Sequence, residues 1–296
     1  MTKKVNYVKL FYKVLIWAVV IILTLSCLLP LINMLAISLS GSDAVAANEV
    51  GFIPKDFTTV TYKKLLEDSQ FWKSFLISVE RVILGLLINM FFTVSMAYPL
   101  SKSSDQFRGR NIYSNLMIFA MLFSGGMIPS FLVVKSLGLL NTVWALVLPG
   151  AVPIFNVILV MNFFASTPRE LEEAAFIDGA NPLQVLLQVY IPISKPVLAT
   201  VSLFSIVGSW NDFYSGLLYM PKPSQYPLMT YIQSLQINIE DLIKQGNISS
   251  VVGSASVGNT NLNAAKIVVA VIPLLIIYPF MQKYFVSGIV VCAVKG

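Results

Sequence analysis

Residues Thr167–Pro192 read TPRELEEAAFIDGANPLQVLLQVYIP. This is the most polar and best-punctuated segment in the second half of a very apolar chain. Its spacing predicts two short helices with a sharp corner between them. Thr167 stands at a cap position, Pro168 follows where a missing N–H costs nothing, and Glu170 lies three residues after the cap, the pattern of a capping box. Gly179 is placed to end the first helix in a left-handed conformation. Asn181, Pro182 and Gln184 repeat the signature for the second helix, and Pro192 is expected to end it or to begin the next apolar segment. Leu171, Ala174, Ala175 and Asp178 fall at i, i+3, i+4 and i+7, on one helical face. The small alanines there allow a partner to approach closely. A plain hairpin needs only a few residues, so two capped helices are more than a connector requires; the alternative is an ordinary cytosolic helical hairpin of a membrane protein.

The surrounding composition sets the class. Hydrophobic residues make up 56% of the 296, charged residues 11%, and the mean hydropathy is +0.78. Soluble domains carry about 25% charged residues. The chain therefore reads as an all-α, polytopic membrane protein, because a segment in lipid must satisfy its own backbone. The net charge of +6 does not indicate nucleic acid, since Lys and Arg cluster at the ends of apolar runs, as topology requires. The absence of His removes His-based acid–base chemistry, Ser–His triads and His metal ligands. Cys27 and Cys292 stand in no metal-type spacing. No catalytic or metal residue is assigned.

Lys3, Lys4, Lys9 and Lys13 precede an apolar run from Val14 to Leu39. With Ala44-Val45-Ala46 the start imitates a signal peptide, but the run is too long for one, against about 7–15 apolar residues. It is expected to be a first span with its N-terminus inside, bent at Pro30. Residues 40–71 lean acidic and fit the outer side. A second span, Phe71–Leu100, carries Glu80 and Arg81 in its outer third and Asn89 further in. Charges in a span are functional candidates by default; a structural ion pair with a neighbouring helix is the alternative. Lys102, Arg108 and Arg110 mark an inner loop. A third span from Asn111 meets Gly125-Gly126 and Pro129, where it breaks, and Phe131–Leu140 is expected as a short outer helix. The fourth, Asn141–Phe164, is kinked by Pro149 and Pro153. The fifth, Pro192–Tyr219, carries Ser209, Trp210, Asn211, Asp212 and Tyr214, with Asp212 roughly 30 Å beyond Pro192 and so near the outer interface. These residues form either a polar and aromatic wall for a sugar or an interfacial aromatic belt with a solvated acid. Residues 221–263 are expected as a polar outer loop. There Gly253, Gly258, Asn259 and Thr260 imitate a phosphate-binding spacing, but Asn replaces the essential Lys, so no nucleotide site is assigned. A sixth span covers Ala264–Phe280, and six spans bring both ends inside.

Glu173-Ala174-Ala175, Gly179, Val189, Ile191 and Pro192 resemble the EAA loop of ABC-importer permeases. That family has Ile where this chain has Val189 and Leu where it has Ile191. GGMIP at Gly125–Pro129, WND at Trp210–Asp212 and the ending Val294-Lys295-Gly296 extend the resemblance to type I importers of oligosaccharides and polysaccharides, near the second permease of maltose-type systems. The resemblance implies a bacterial cytoplasmic membrane protein with a tail and first span at 1–70, a permease core at 71–283 and a C-terminal tail at 284–296. It implies that Glu173, Ala174, Ala175, Asp178 and Gly179 form a cytoplasmic coupling helix docked on an ATPase, and that Val294, Lys295 and Gly296 reach between the ATPase subunits. Partners would be a second, homologous permease, two ATPase subunits that bind ATP and Mg, and an extracellular solute-binding protein, lipoprotein or periplasmic, that delivers the glycan. This chain would bind no cofactor itself. Glu80, Arg81, Asn89, Asn211 and Asp212 are the candidates for the substrate pathway.

A stand-alone secondary transporter or channel is the second reading. It is expected to show mid-membrane ionisable groups and internal repeats, and neither is evident. A membrane-embedded enzyme is the third, and no paired-carboxylate or nucleophile motif supports it.

Overall fold

The computed structural model describes residues 7–244 and 255–293, so Val294, Lys295 and Gly296 and the Gly253 of the phosphate-loop imitation lie outside the described residues. Every regular element among the described residues is helical. In chain order these are α1 (Tyr7–Ser38), α2 (Ser42–Ala46), α3 (Val60–Glu67), α4 (Ser69–Leu100), α5 (Arg110–Leu122), α6 (Met127–Ser136), α7 (Val143–Val147) and α8 (Ile154–Ala165). They continue with α9 (Arg169–Ile177), α10 (Pro182–Val185), α11 (Ile191–Ile193), α12 (Lys195–Asn211), α13 (Tyr214–Tyr219), α14 (Leu228–Lys244) and α15 (Ala255–Ala293).

Three stretches are long and apolar enough to cross a membrane by themselves: Phe11–Ser38, Ser69–Leu100 and Thr260–Phe280. Three further pairs pass the same test only when joined across a bend. Arg110–Leu122 meets Met127–Ser136 at 112°, Val143–Gly150 meets Ile154–Ala165 at 46°, and Pro182–Ile193 meets Lys195–Asn211 at 83°. The first two bends fall at Gly125-Gly126 and between Pro149 and Pro153, as the sequence requires. Gly126 takes a φ of +83° at the first.

Several boundaries differ from expectation. The short helix expected at Phe131–Leu140 instead begins at Met127 and ends at Ser136, because Pro129 is tolerated within a first turn. The fifth segment does not start at Pro192. A π-turn over Leu186–Tyr190 widens the helix just where Pro192 lacks a donor and its ring would meet the preceding turn, so the helix continues to Ile193 and bends at Ser194. That segment then stops at Asn211 and restarts as α13. The stretch expected as a polar loop, 221–263, contains α14 and the start of α15. Pro30 lies inside an uninterrupted α1.

The chain divides into two compact units, one from Met1–Phe71 and Ser234–Val271, the other from Trp72–Gln233 and Ile272–Gly296. In the first, α1 is apolar on every face, and Phe11, Ile16, Trp17 and Ile22 are all exposed. A helix hydrophobic all round belongs in lipid or against a partner. Its hydroxyls bond within the helix, Thr24 to the Val20 carbonyl and Ser26 to the Leu23 carbonyl, each at 2.8 Å. Further along, the Asn261 amide donates to the Ser40 carbonyl at 2.7 Å, and buried Lys266 pairs with Asp68 at 2.7 Å. Lys266 lies inside the span expected at Ala264–Phe280.

In the second unit a core of Leu100, Val157, Val160, Phe164, Leu186 and Val201 joins the end of α4 to α8, the π-turn and α12. Close backbone approach is needed at Gly216, where a Cβ would lie 2.0 Å from the Thr230 hydroxyl.

Candidate functional site

The corner that the sequence places at Thr167–Pro192 forms, though not with every expected cap. Thr167 does not cap α9. Its Oγ1 turns back to the Phe163 carbonyl at 3.4 Å, and Pro168, with extended backbone, takes the cap position without a side-chain bond. The hydroxyl is used by the end of α8, so the Thr167–Glu170 box does not close. Glu170 and Glu172 still lie in the first turn of α9, where negative charge suits the helix dipole.

The C-terminal stop forms as expected. Gly179 has a φ of +83°. Its N–H reaches the Phe176 carbonyl at 3.1 Å, and the Ala180 N–H reaches the Ala175 carbonyl at 3.0 Å. This is the paired pattern of a Schellman ending. The second box also closes: the Gln184 N–H donates to Asn181 Oδ1 at 2.9 Å and the Asn181 N–H to Gln184 Oε1 at 2.8 Å.

The corner leaves a surface open. Glu173, Ala174, Asp178 and Gly179 are exposed and Ala175 is half-buried. Ile177 is 86% exposed and Leu183 63%. Helical spacing marks Leu171 on this helix but not Ile177, which is left uncovered.

Beneath this surface sits a network the sequence did not announce. Lys102 Nζ donates to Glu172 Oε1 at 2.8 Å and meets the Tyr190 hydroxyl at 3.0 Å, while that hydroxyl donates to Glu172 Oε2 at 2.7 Å. The ammonium also lies 4.2 Å from the ring centres of Tyr98 and Tyr190. Tyr190 in turn packs edge-on against Tyr98 and Phe164. Burial pushes the Lys102 ammonium below the usual lysine range, opposed by its hydrogen bond and charge attraction to Glu172.

The pathway candidates separate into two groups. Arg81, Asn89 and Asp212 line one cavity of about 320 Å³, together with Asn156, Ser205 and Ser209. Glu80 and Asn211 are exposed and do not line it. Arg81 donates through Nη1 to the Asp212 carbonyl at 2.9 Å and pairs through Nη2 with its carboxylate. The same carboxylate accepts the Ser215 N–H at 3.1 Å, which holds the start of α13. Arg81 is buried, and its Nε has no hydrogen-bond partner. With its amide oriented by its neighbours, Asn89 donates to the Gly150 and Ala151 carbonyls at 3.0 and 3.2 Å. These are carbonyls that the break between α7 and α8 sets free. Trp210 is buried and packs edge-on against Phe75.

A family described as the binding-protein-dependent transport system inner membrane component matches residues 5–291. The protein LplC of Bacillus subtilis (strain 168) is 42% identical over 269 residues, covering 91% of this chain and 90% of that one. The polygalacturonan/rhamnogalacturonan transport system permease protein YtcP of the same organism is 39% identical, covering 96% and 98%. Among solved structures, a chain of a bacterial ABC transporter involved in the import of the acidic polysaccharide alginate superposes with a TM-score of 0.84 at 33% identity, covering 96% of this chain and 100% of that one.

Proposed function

The chain belongs to the family of binding-protein-dependent transport system inner membrane components, and from that membership we propose that it is the permease subunit of an ATP-driven importer of oligosaccharides or polysaccharides. It is not an enzyme: ATP is hydrolysed by a separate ATPase. The glycan assignment draws on the relatives named for polygalacturonan and alginate transport.

The observation that carries the mechanism is the exposed end of α9, Glu173–Ile177, with its stop at Gly179. It is short, capped at its end by Gly179, and offers Glu173, Ala174, Asp178 and Ile177 outward. This is the surface on which the ATPase docks. We assign six spans, three continuous and three bent, with both ends in the cytoplasm, and we assign residues 71–283 as the permease core. The partners are a second permease of the same family, two ATPase subunits that hold ATP and Mg, and an extracellular binding protein that delivers the glycan. The Val294–Gly296 tail meets the ATPase pair. The cavity with Arg81, Asn89 and Asp212 belongs to the translocation pathway. When the ATPase pair closes on ATP, the coupling helices shift as rigid bodies and the pathway changes the side to which it opens.

The test is co-purification. A tagged chain co-expressed with the genes beside it is expected to bring down an ATPase and a second permease from detergent. Glu173→Lys is expected to lose the ATPase and keep the second permease. A Glu173→Lys chain that retains the ATPase at the unaltered level counts against the docking surface.

A further inference from the structure

In α9 the single buried residue is an acid, Glu172, while Leu171, Phe176 and Ile177 are all exposed. A short amphipathic helix normally holds to its protein by apolar side chains. Here Ala175 gives only a small apolar contact to the core, and beside it a carboxylate is anchored, both of its oxygens taken up by Lys102 and Tyr190. The three groups come from three places: Lys102 from just beyond α4, Glu172 from the first turn of α9, and Tyr190 from the π-turn ahead of the bend at Ser194. They close a triangle of hydrogen bonds, with the ammonium against two rings.

Stability alone does not call for such an arrangement, because apolar side chains of equal volume often serve a buried site as well as an ion pair does. A closed, satisfied polar network adds fixed geometry. Helix α4 is also the helix that carries Arg81 and Asn89 to the cavity, with Asn89 roughly 20 Å along the axis from Lys102.

We propose that Lys102, Glu172 and Tyr190 are positioning residues that lock the coupling helix to the end of α4, so that movement imposed on α9 is carried into the helix lining the cavity. The inference rests on the docking surface assigned above. It makes the network a transmission element: without it α9 still meets the ATPase, but swings without moving α4.

The experiment uses the full complex with its ATPase and second permease in membrane vesicles. A reporter cysteine, Ser209→Cys, is placed in the cavity in a Cys27→Ser, Cys292→Ser background. Its labelling by a membrane-impermeant maleimide is followed with and without ATP and vanadate. With the network intact, trapping nucleotide is expected to change the labelling rate by about fivefold or more, the lower end of the coupling usual between linked sites. The double variant Lys102→Met, Glu172→Leu leaves no unpaired buried charge. It is expected to co-purify with the ATPase and trap nucleotide as before, while the labelling change falls below about twofold. Tyr190→Phe keeps both ring contacts and is expected to lie between.

A double variant that keeps the full labelling change overturns the inference. So does one that no longer brings down the ATPase, since the network would then determine docking and not transmission. If labelling is unresponsive with the network intact although nucleotide is trapped, the pathway and docking assignments themselves fail.

Discussion

Among the described residues of the second unit, the Lys102–Glu172 and Arg81–Asp212 ion pairs are built differently. Lys102 and Glu172 have side chains 11% and 9% exposed, and the Tyr190 hydroxyl closes the third side of their triangle. Arg81 is 5% exposed, but its partner Asp212 is 29% exposed and opens onto a cavity, and Arg81 Nε is left without a hydrogen bond. The first arrangement satisfies its own polar atoms, has rings against the ammonium, and itself borders a cavity of about 310 Å³. The second keeps one buried N–H, Arg81 Nε, unsatisfied, while its part-exposed carboxylate lines the other cavity. A fully satisfied network holds elements in one geometry; a pair with a part-exposed carboxylate keeps a charge at a cavity wall. The two pairs sit at opposite ends of the Arg81–Lys102 stretch, which links the proposed docking surface to the proposed pathway.

The largest effect is expected where one partner is removed from the open pair. Asp212→Asn leaves the Arg81 charge buried and loosens the start of α13, at a cost of about 3–5 kcal/mol. Thermal unfolding of the detergent-purified complex, followed by size-exclusion chromatography, checks it. A melting point unchanged from the unsubstituted protein would mean that the pair is not formed. Tyr190→Phe comes next. It removes two hydrogen bonds to charged groups, and a loss of about 1.5–3 kcal/mol is expected in the same assay. If it costs nothing, the closed character of the triangle is wrong. Gly179→Leu forces a branched side chain into a left-handed conformation, at about 1–2 kcal/mol; insertion is expected to be normal and ATPase co-purification to be lost. The smallest effect is expected at Glu80, one residue from Arg81. Being exposed, Glu80→Gln is expected to stay within about 0.5 kcal/mol, and a loss approaching that of Asp212→Asn would erase the distinction between the two neighbours.

The helical class and the corner at Gly179 were legible because they depend on short-range signals. Gly179, Asn181 and Gln184 act within a turn of their own positions, and Gly125-Gly126 and Pro149 with Pro153 mark bends locally. Thr167 departs from its expected cap because its hydroxyl has two helices to choose between and serves the earlier one. Pro192 falls one residue short of the helix end at Ile193 because a π-turn absorbs it. The partners in the pairings were not legible, although an ion pair with a neighbouring helix is one of the two readings the sequence allows for Arg81. Lys102 and Glu172 are 70 residues apart, and Arg81 and Asp212 are 131 apart. No short-range signal joins positions so far apart in the chain. Glu80 and Arg81 were equal candidates in the sequence, and only the rotation of α4 sends one to the cavity and leaves the other exposed.

The most direct test of the central claim is uptake by proteoliposomes that hold the complex of this chain, its partner permease and its ATPase. A panel of labelled neutral and uronate oligosaccharides would be offered with the binding protein. Uptake is expected only with ATP supplied on the ATPase side, and is expected to vanish with Glu173→Lys. Uptake by this chain alone, without ATP or partners, would contradict the account.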